Sequence, residues 1–475
     1  MKKINLKIVF ILTLAFSMLS CNEDFLNDPQ PTDAVTASVI FGSRDGADAF
    51  VSGIMRRFRG QFTATDAAGV NSLYYARTVK GNDIIQRATW FSFDYENDNR
   101  EPTYRRTNFT WNYSYYMINQ ANNLINGAEQ SEGLSALDKK EIIGQGKAIR
   151  AFFYFQLAME FQHTYTFDPS LPAPPIYTEL STEGNPMSTL KEMYDLILED
   201  LTYATQNLTS DRIAKSYINQ NVAYGILARV YQTMGNWLGA EDAARKAYGG
   251  GTPTSVLNNN YQNGFNDISD SEWIWGSAQS LDQSNYYWGA PHAHADHFVL
   301  SYSATFFNNN FVALFSPTDI RNTFLEGYNV PAADYRNYIS RKFTFNFDSD
   351  HPIIRTAEML LVEAEAKYYN GDPTGAHNIL FALQSTRDPL AVKSTNTGQA
   401  LLDEILVERR KELYAEIGVE WFDAKRYRKG ITRNGNQRLK GNSSLLPDDK
   451  RFFLKVPQAE IDANINIDES VNNGR

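Results

Sequence analysis

A stretch near the start of the chain combines the two kinds of side chain that sugar recognition needs. An aromatic ring stacks on the C–H face of a pyranose, while amides and charged groups bind its hydroxyls. In QRATWFSFDYENDNR, residues 86–100, we predict five ligand-binding residues: Trp90, Tyr95, Asn97, Asp98 and Arg100. The sequence also allows the alternative, in which Trp90, Phe91 and Phe93 fill a hydrophobic core.

A second stretch of similar composition is SNYYWGAPHAH, residues 284–294. Its adjacent aromatic residues Tyr286, Tyr287 and Trp288 precede a Gly-Ala-Pro turn. Adjacent side chains of an extended segment point to opposite sides, so at least one of the three is expected to be exposed. We add these three residues and His292 to the predicted ligand-binding set. If both stretches reach one face, they form an aromatic platform.

Three of the six histidines, His292, His294 and His297, cluster in this second region. Imidazoles bind first-row metals, but a site needs ligands held in geometry and supported by a second shell. For a Pro-containing loop, we favour hydrogen bonds from these rings to a ligand or to the backbone. We predict no metal site.

Motifs of covalent or metal-assisted catalysis do not occur in the sequence. There is no Gly-x-Ser-x-Gly elbow, no Gly-rich phosphate loop and no His-Glu-x-x-His. A glycosidase pair of carboxylates cannot be recognised among 55 acidic residues, and no pair stands out. We predict that the protein is not an enzyme, with no catalytic residue and no cofactor.

The only cysteine, Cys21, follows a basic and then an apolar segment. Lys2, Lys3 and Lys7 come first, and the apolar run that ends at Leu19 is shorter than the roughly 20 residues of a membrane span. With Leu19 and Ser20 before it, Cys21 fits a bacterial lipobox. We predict a signal peptide over residues 1–20 and lipidation of Cys21.

The charge of the chain excludes one class of partner. The formal net charge is −10, and removal of the leader leaves 42 basic against 55 acidic residues. Such a surface repels phosphate backbones and anionic lipids. Nucleic acid is therefore not expected as the main partner.

Helical periodicity organises most of the remaining chain. Residues 223–248 fit a tetratricopeptide hairpin that turns at Gly235-Asn236, and Ala240 and Ala244 are expected to face the partner helix. Residues 357–383 form a second such unit. Further helices are predicted over residues 111–126, 146–162 and 190–208, and over 401–430 with a break at Gly418.

Two segments, residues 80–106 and 249–352, lack helical periodicity and are rich in Asn, Gly, Asp and aromatic residues. Within the second, Trp273 and Trp275 alternate on a predicted core strand. The fold class is mainly α: a tetratricopeptide-like helical-repeat scaffold with long loop-rich insertions and a few short strands. We expect one domain over 21–475, with scaffold at about 21–79, 107–248 and 353–475 and binding insertions at about 80–106 and 249–352.

Six segments in order resemble the SusD/RagB family of surface lipoproteins. They are CNEDFLNDPQP, KAIRAFFYFQLAMEF, AYGILARVYQTMGNWLGAEDAARKA, RTAEMLLVEAEAKY, ILVERRKELYAEIGVEWFDAKRYRKG and FFLKVPQAEI. The ending NINIDESVNNGR departs from the usual Gln-Asn-Pro-Gly-Tyr-like close. The acids after Cys21 resemble the cue that sends some lipoproteins of Bacteroidetes-type bacteria to the cell surface.

The resemblance implies a non-enzymatic receptor on the outer membrane. Family members capture oligosaccharides or other nutrients and sit as a lid on a partner SusC-like TonB-dependent transporter. We interpret the family's signature residues as helix packing and buried ion pairs: Glu408, Arg409, Arg410, Trp421, Phe422, Asp423 and Arg426. The alternative function is a protein- or peptide-binding scaffold, since tetratricopeptide hairpins commonly hold peptides.

Overall fold

The structure, a computed structural model, describes residues 36–62, 64–282, 291–299 and 301–475. Cys21, Tyr286, Tyr287 and Trp288 lie outside these residues. Within them, no helix is long and apolar enough to cross a membrane.

Helices form most of the scaffold, and they pack as consecutive antiparallel pairs around one large apolar core. Several begin at a side-chain cap, as at Ser135, Thr189 and Asp372, which satisfies an amide that the first turn leaves unpaired. The helices of eight or more residues are Arg44–Arg57, Val70–Thr78, Arg105–Gln130, Ala136–Phe161, Leu190–Asn207, Gln220–Met234, Trp237–Ala247, Thr356–Tyr369, Pro373–Arg387, Gln399–Leu413 and Val419–Arg426. Shorter helices are Ala37–Ile40, Ser92–Tyr95, Pro253–Val256, His292–Ala295, Asn309–Val312 and Gln458–Ala463.

The predicted hairpin over residues 223–248 is confirmed. Its helices are Gln220–Met234 and Trp237–Ala247, and between them Gly235 adopts a left-handed backbone with φ of 71°. Ala240 and Ala244 are fully buried against the partner helix, as expected from their size. The second predicted hairpin is also present, as Thr356–Tyr369 followed by Pro373–Arg387.

The break predicted at Gly418 is longer than one residue. The first helix ends at Leu413 and the second begins at Val419, with Gly418 at φ of 72°. Side chains between them bind other parts of the fold: the Tyr414 hydroxyl lies 2.9 Å from Thr323 Oγ1, and Glu416 accepts from Lys342. A Cβ at Gly418 would lie 2.4 Å from Cβ of Arg77, so only glycine fits this crossing.

Eight short strands complete the described part of the fold. They are β1 (Ile84–Gln86), β2 (Pro172–Ala173), β3 (Ser188–Thr189), β4 (Trp273–Ser277), β5 (Thr305–Phe307), β6 (Phe324–Glu326), β7 (Tyr338–Ser340) and β8 (His351–Arg355). The sheet of order β1-β5-β7-β6 draws one strand from residues 80–106 and three from residues 249–352. The two predicted insertions therefore meet in a single sheet. Trp273 and Trp275 are buried on β4, as predicted.

Six of the seven family signature residues are buried, as the packing interpretation predicted, and Arg410 is half-buried. Arg409 Nε donates to Asp423 Oδ2 at 2.9 Å, and Arg426 Nε donates to Asp423 Oδ1 at 2.8 Å. The ring of Trp421 is fully buried, and Glu408 forms an ion pair with Arg321 at 2.5 Å. Burial of paired charges fixes which helices can pack together, because an unpaired partner would be costly.

Candidate functional site

Trp90 is placed by the strand register that joins the two insertions. Gln86 of β1 pairs with Thr305 of β5 in an antiparallel ladder, and Arg87 N extends it by donating to Ala304 O at 2.9 Å. Continued outward, this register sets Thr89 against Tyr302, and the next residue, Trp90, packs its ring against that of Tyr302. Their ring centroids lie 4.4 Å apart at an interplanar angle of 58°. The first insertion thus contributes one ring and the second insertion the other.

This aromatic pair faces solvent. The side chain of Trp90 is 40% exposed, which rules out the alternative that its ring plugs the core. Tyr302 is half-buried, and its amide donates to Ala293 O at 2.8 Å, which fixes its backbone to the helix His292–Ala295. Arg87 and Ala88, which precede Trp90 in the chain, are exposed as well. The pair is therefore a partly exposed aromatic surface.

Three of the other predicted ligand-binding residues are buried and attach the first insertion to the C-terminal part of the chain. Tyr95 is fully buried and donates from its hydroxyl to Gln437 Oε1, and its ring lies 4.1 Å from the Arg433 guanidinium. Asn97 Nδ2 donates to Ser443 O at 2.8 Å, and Arg100 Nε donates to Phe453 O at 3.1 Å. In this conformation a ligand cannot reach these three groups. Their burial corrects the expectation of a polar rim, because the chain itself satisfies them.

The two remaining predicted residues in the described part of the chain, Asp98 and His292, differ in burial. Asp98 is exposed, whereas His292 is fully buried with Nε2 against the Phe265 carbonyl and its ring at the edge of Phe343. Burial lowers the pKa of His292 to about 3, so the ring is neutral at neutral pH. His292 therefore stabilises the short helix behind Tyr302 and offers no surface to a ligand.

His294 and His297 also bind within the protein. The ring of His294 stacks on Tyr75 with centroids 4.8 Å apart. Nε2 of His297 lies 2.7 Å from Thr305 O, so it carries the proton, and Nδ1 accepts from the Tyr328 hydroxyl at 3.0 Å. In the part of the chain that the structure describes, no group of three His, Cys, Asp or Glu side chains is arranged to hold a metal ion.

Sequence reasoning missed aromatic residues that the sheet brings to the surface beyond Trp90. Phe298 and Tyr328 are 48% and 44% exposed, and the Arg341 guanidinium lies 4.4 Å from the ring centroid of Phe298. Tyr302 was missed too. No local pattern marks these residues, because their exposure depends on strand pairs distant in sequence.

Buried polar contacts fix β1 to the C-terminal helices. Arg410 Nε donates to Asp83 Oδ2 at 2.9 Å, immediately before β1. Glu420 accepts from the amides of Asn82 and Asp83, and burial, with the nearby Asp83 carboxylate, raises the pKa of Glu420. Arg410, one of the family signature residues, and Glu420 thus position β1, which precedes Trp90 in the chain.

Two family models match the chain over most of its described length. One, described as starch-binding associating with outer membrane, matches residues 54–232, and one described as SusD family matches residues 334–472. The chain belongs to the SusD/RagB family. SusD family members are binding proteins and not enzymes. None of the curated protein sequences is a significant match to this chain.

Solved SusD-like structures share the fold over nearly the whole chain. A SusD-like carbohydrate binding protein from Bacteroides vulgatus is 26% identical, with a TM-score of 0.81 over 90% of this chain and 97% of that chain. A SusD superfamily protein from Bacteroides thetaiotaomicron is also 26% identical, with a TM-score of 0.78 over 90% of this chain and 99% of that chain. The tetratricopeptide-like helical scaffold is therefore the SusD-like fold.

Proposed function

We propose that this SusD-like protein captures an oligosaccharide at the surface formed by Trp90 and Tyr302 and delivers it to a partner SusC-like TonB-dependent transporter. The observation that carries the proposal is an exposed aromatic pair, built from both insertions, in a chain of this family. A pyranose can stack on such a pair, while Arg87 and Asp98, exposed residues of the same insertion as Trp90, offer groups for its hydroxyls.

The predicted residues Tyr286, Tyr287 and Trp288 remain part of this proposal. They precede Pro291 and the helix His292–Ala295, whose backbone contacts Tyr302. They are therefore close along the chain to the residues that position the aromatic pair. Each additional ring would let the site hold a further sugar unit of the same chain.

Cys21 supports the proposed location. A lipidated Cys21 would tether the protein to the outer membrane with its body on the cell surface, where it meets both the nutrient and the transporter. The description of one matching family model also refers to the outer membrane. The SusD-like carbohydrate binding protein from Bacteroides vulgatus, which shares this fold, supports a saccharide as the ligand.

Calorimetric titration of the mature protein with a panel of oligosaccharides and peptides tests this function. We expect saturable binding of at least one oligosaccharide class and none of the peptides. A panel in which only peptides bind would favour the scaffold function and contradict the proposal.

A further inference from the structure

A second cleft lies on the helical scaffold and shares no residue with the Trp90–Tyr302 pair. Its volume is about 380 Å³, within the usual range for small-ligand sites. One wall is a face of the helix Arg105–Gln130 that presents Trp111, Tyr115, Tyr116 and Asn119. Tyr115 and Asn119 are four and eight residues from Trp111, so the three lie along one side of the helix, and Tyr116 lies three residues before Asn119 at the edge of that side.

The opposite wall is the segment between β2 and β3, which contributes Tyr177, Glu179 and Ser181, and Glu460 also lines the cleft. Direct contacts fix this wall to the helix. The Tyr115 hydroxyl donates to Pro175 O at 2.6 Å, and Asn122 Nδ2 donates to Tyr177 O at 3.1 Å. The cleft is therefore formed before a ligand arrives, which lowers the ordering cost of binding.

Glu460 is oriented by two side chains. Its Oε2 accepts from Trp111 Nε1 at 3.3 Å, and its Oε1 accepts from Asn464 Nδ2 at 2.9 Å. A carboxylate has about four lone-pair sites, so this group can still accept from a ligand. The rings of Trp111 and Tyr177 lie 5.0 and 5.8 Å from Tyr115, which places aromatic surface beside it.

The charges of the cleft select among saccharides. Two carboxylates, Glu179 and Glu460, line it together with amides and aromatic rings, and none of the described lining residues is Lys or Arg. A ligand carrying an ammonium group gains from the carboxylates and from the aromatic faces. A uronic or sulfated sugar would meet like charge, with no lysine or arginine among the described lining residues.

We propose that this cleft is a second saccharide site, which takes a sugar unit carrying a protonated amine. The tyrosine rings pack against the sugar ring, Asn112 and Asn119 bind its hydroxyls, and Glu460 pairs with the ammonium. The site is independent of the surface proposed for oligosaccharide capture, because the two sites have no side chain in common.

Calorimetry on the mature protein with the trimer of glucosamine tests this inference. The titration is made at about pH 6, where an amine with a pKa of about 8, such as a peptide α-amino group, is protonated. The N-acetylated trimer is the matched uncharged probe. We expect the glucosamine trimer to bind at least about tenfold more tightly than the N-acetylated trimer. Equal affinities, or no binding of the glucosamine trimer, would overturn the proposal.

Single substitutions test where the glucosamine trimer binds. Tyr116→Ala, Glu460→Gln and Glu179→Gln should each weaken glucosamine-trimer binding, the first two by about tenfold. Glu179 is exposed, so its substitution gives a test that does not depend on folding. Trp90→Ala should leave this binding unchanged. Loss of binding in Trp90→Ala, with full binding in the three cleft variants, would place the ligand at the other site and refute the inference.

Discussion

At the residue scale, helical spacing separates four neighbouring aromatic side chains. Phe91 and Tyr95, four residues apart, are fully buried, whereas Trp90 and Phe93, three residues apart, are 40% and 59% exposed. The short helix Ser92–Tyr95 explains this division, because residues three and four apart share a face. This periodicity was available in the sequence, but a four-residue helix is too short to recognise there.

The predicted polar rim shows why side-chain type alone does not identify a site. Amide and charged side chains after Tyr95 have the chemistry to bind hydroxyls, yet Asn97 and Arg100 instead bind backbone carbonyls of residues 443 and 453. Buried polar groups must be satisfied, and a loop-rich insertion contains many carbonyls that need donors. The sequence gives no indication of which use a given amide will serve.

A buried histidine makes stability sensitive to acid. His351 is fully buried on β8, and burial, with Arg59 and His292 nearby, lowers its pKa well below the ordinary value. The unfolded chain takes up this proton below about pH 6.5 and the folded chain does not, so the contribution is present above that pH and is lost as the pH falls. In His351→Phe we expect the free energy of unfolding to fall less steeply as the pH is lowered. The slopes of variant and wild type should differ by up to about 1.4 kcal/mol per pH unit.

Urea titrations of wild type and His351→Phe at about pH 7.5 and about pH 5 measure this difference. The comparison uses the change with pH within each protein, so an altered packing energy in the variant cancels. Identical pH dependence in the two proteins would show that His351 does not remain neutral in the folded state.

At the scale of elements, one carboxylate joins several parts of the fold. Glu412, on the helix Gln399–Leu413, forms ion pairs with Arg321 at 3.1 Å, Arg355 at 3.0 Å and Arg387 at 3.0 Å. Burial alone would raise the pKa of Glu412, but the three guanidinium groups hold it well below its ordinary value. The helix is thereby tied to β8, to the helix Pro373–Arg387 and to the second insertion.

Removing the negative charge of Glu412 should destabilise the folded protein. In Glu412→Gln three buried arginines lose their shared counter-charge, and we expect a loss of about 3–5 kcal/mol in the free energy of unfolding. Asp403→Asn on the exposed side of the same helix is the control and should change stability by less than about 0.5 kcal/mol. Chemical denaturation monitored by circular dichroism gives both values. A Glu412→Gln protein as stable as the control would contradict a structural role for the network.

The helical hairpins could be predicted from sequence, whereas the sheet could not. A hairpin depends on local spacing and on a glycine turn, both visible in residues 223–248. The strands β1 and β5 have three residues each, and their register depends on residues more than 200 positions apart in the chain. No local periodicity encodes such a pair, so the contact between Trp90 and Tyr302 could be found only from the structure.

At the scale of the whole molecule, the proposed function depends on attachment to the membrane. Acyl chains contribute about 0.8 kcal/mol per buried methylene, so a multiply acylated Cys21 would hold the acidic body without a spanning helix. We expect Cys21→Ala to abolish acylation and to release the protein from the membrane fraction. Incorporation of labelled fatty acid, followed by fractionation, is the measurement. Label in the variant, or its retention with membranes, would contradict the lipobox interpretation.

Oligosaccharide binding at the surface formed by Trp90 and Tyr302 can be tested directly. Calorimetry with the best oligosaccharide of the panel should show that Trp90→Ala and Tyr302→Ala each lose about 2 kcal/mol or more of binding free energy while remaining folded. Tyr369→Ala is the matched control, because Tyr369 is also 40% exposed and also lies against another ring, that of Trp237 at 4.2 Å. This control should keep wild-type affinity. Wild-type affinity in folded Trp90→Ala and Tyr302→Ala would contradict binding at this surface.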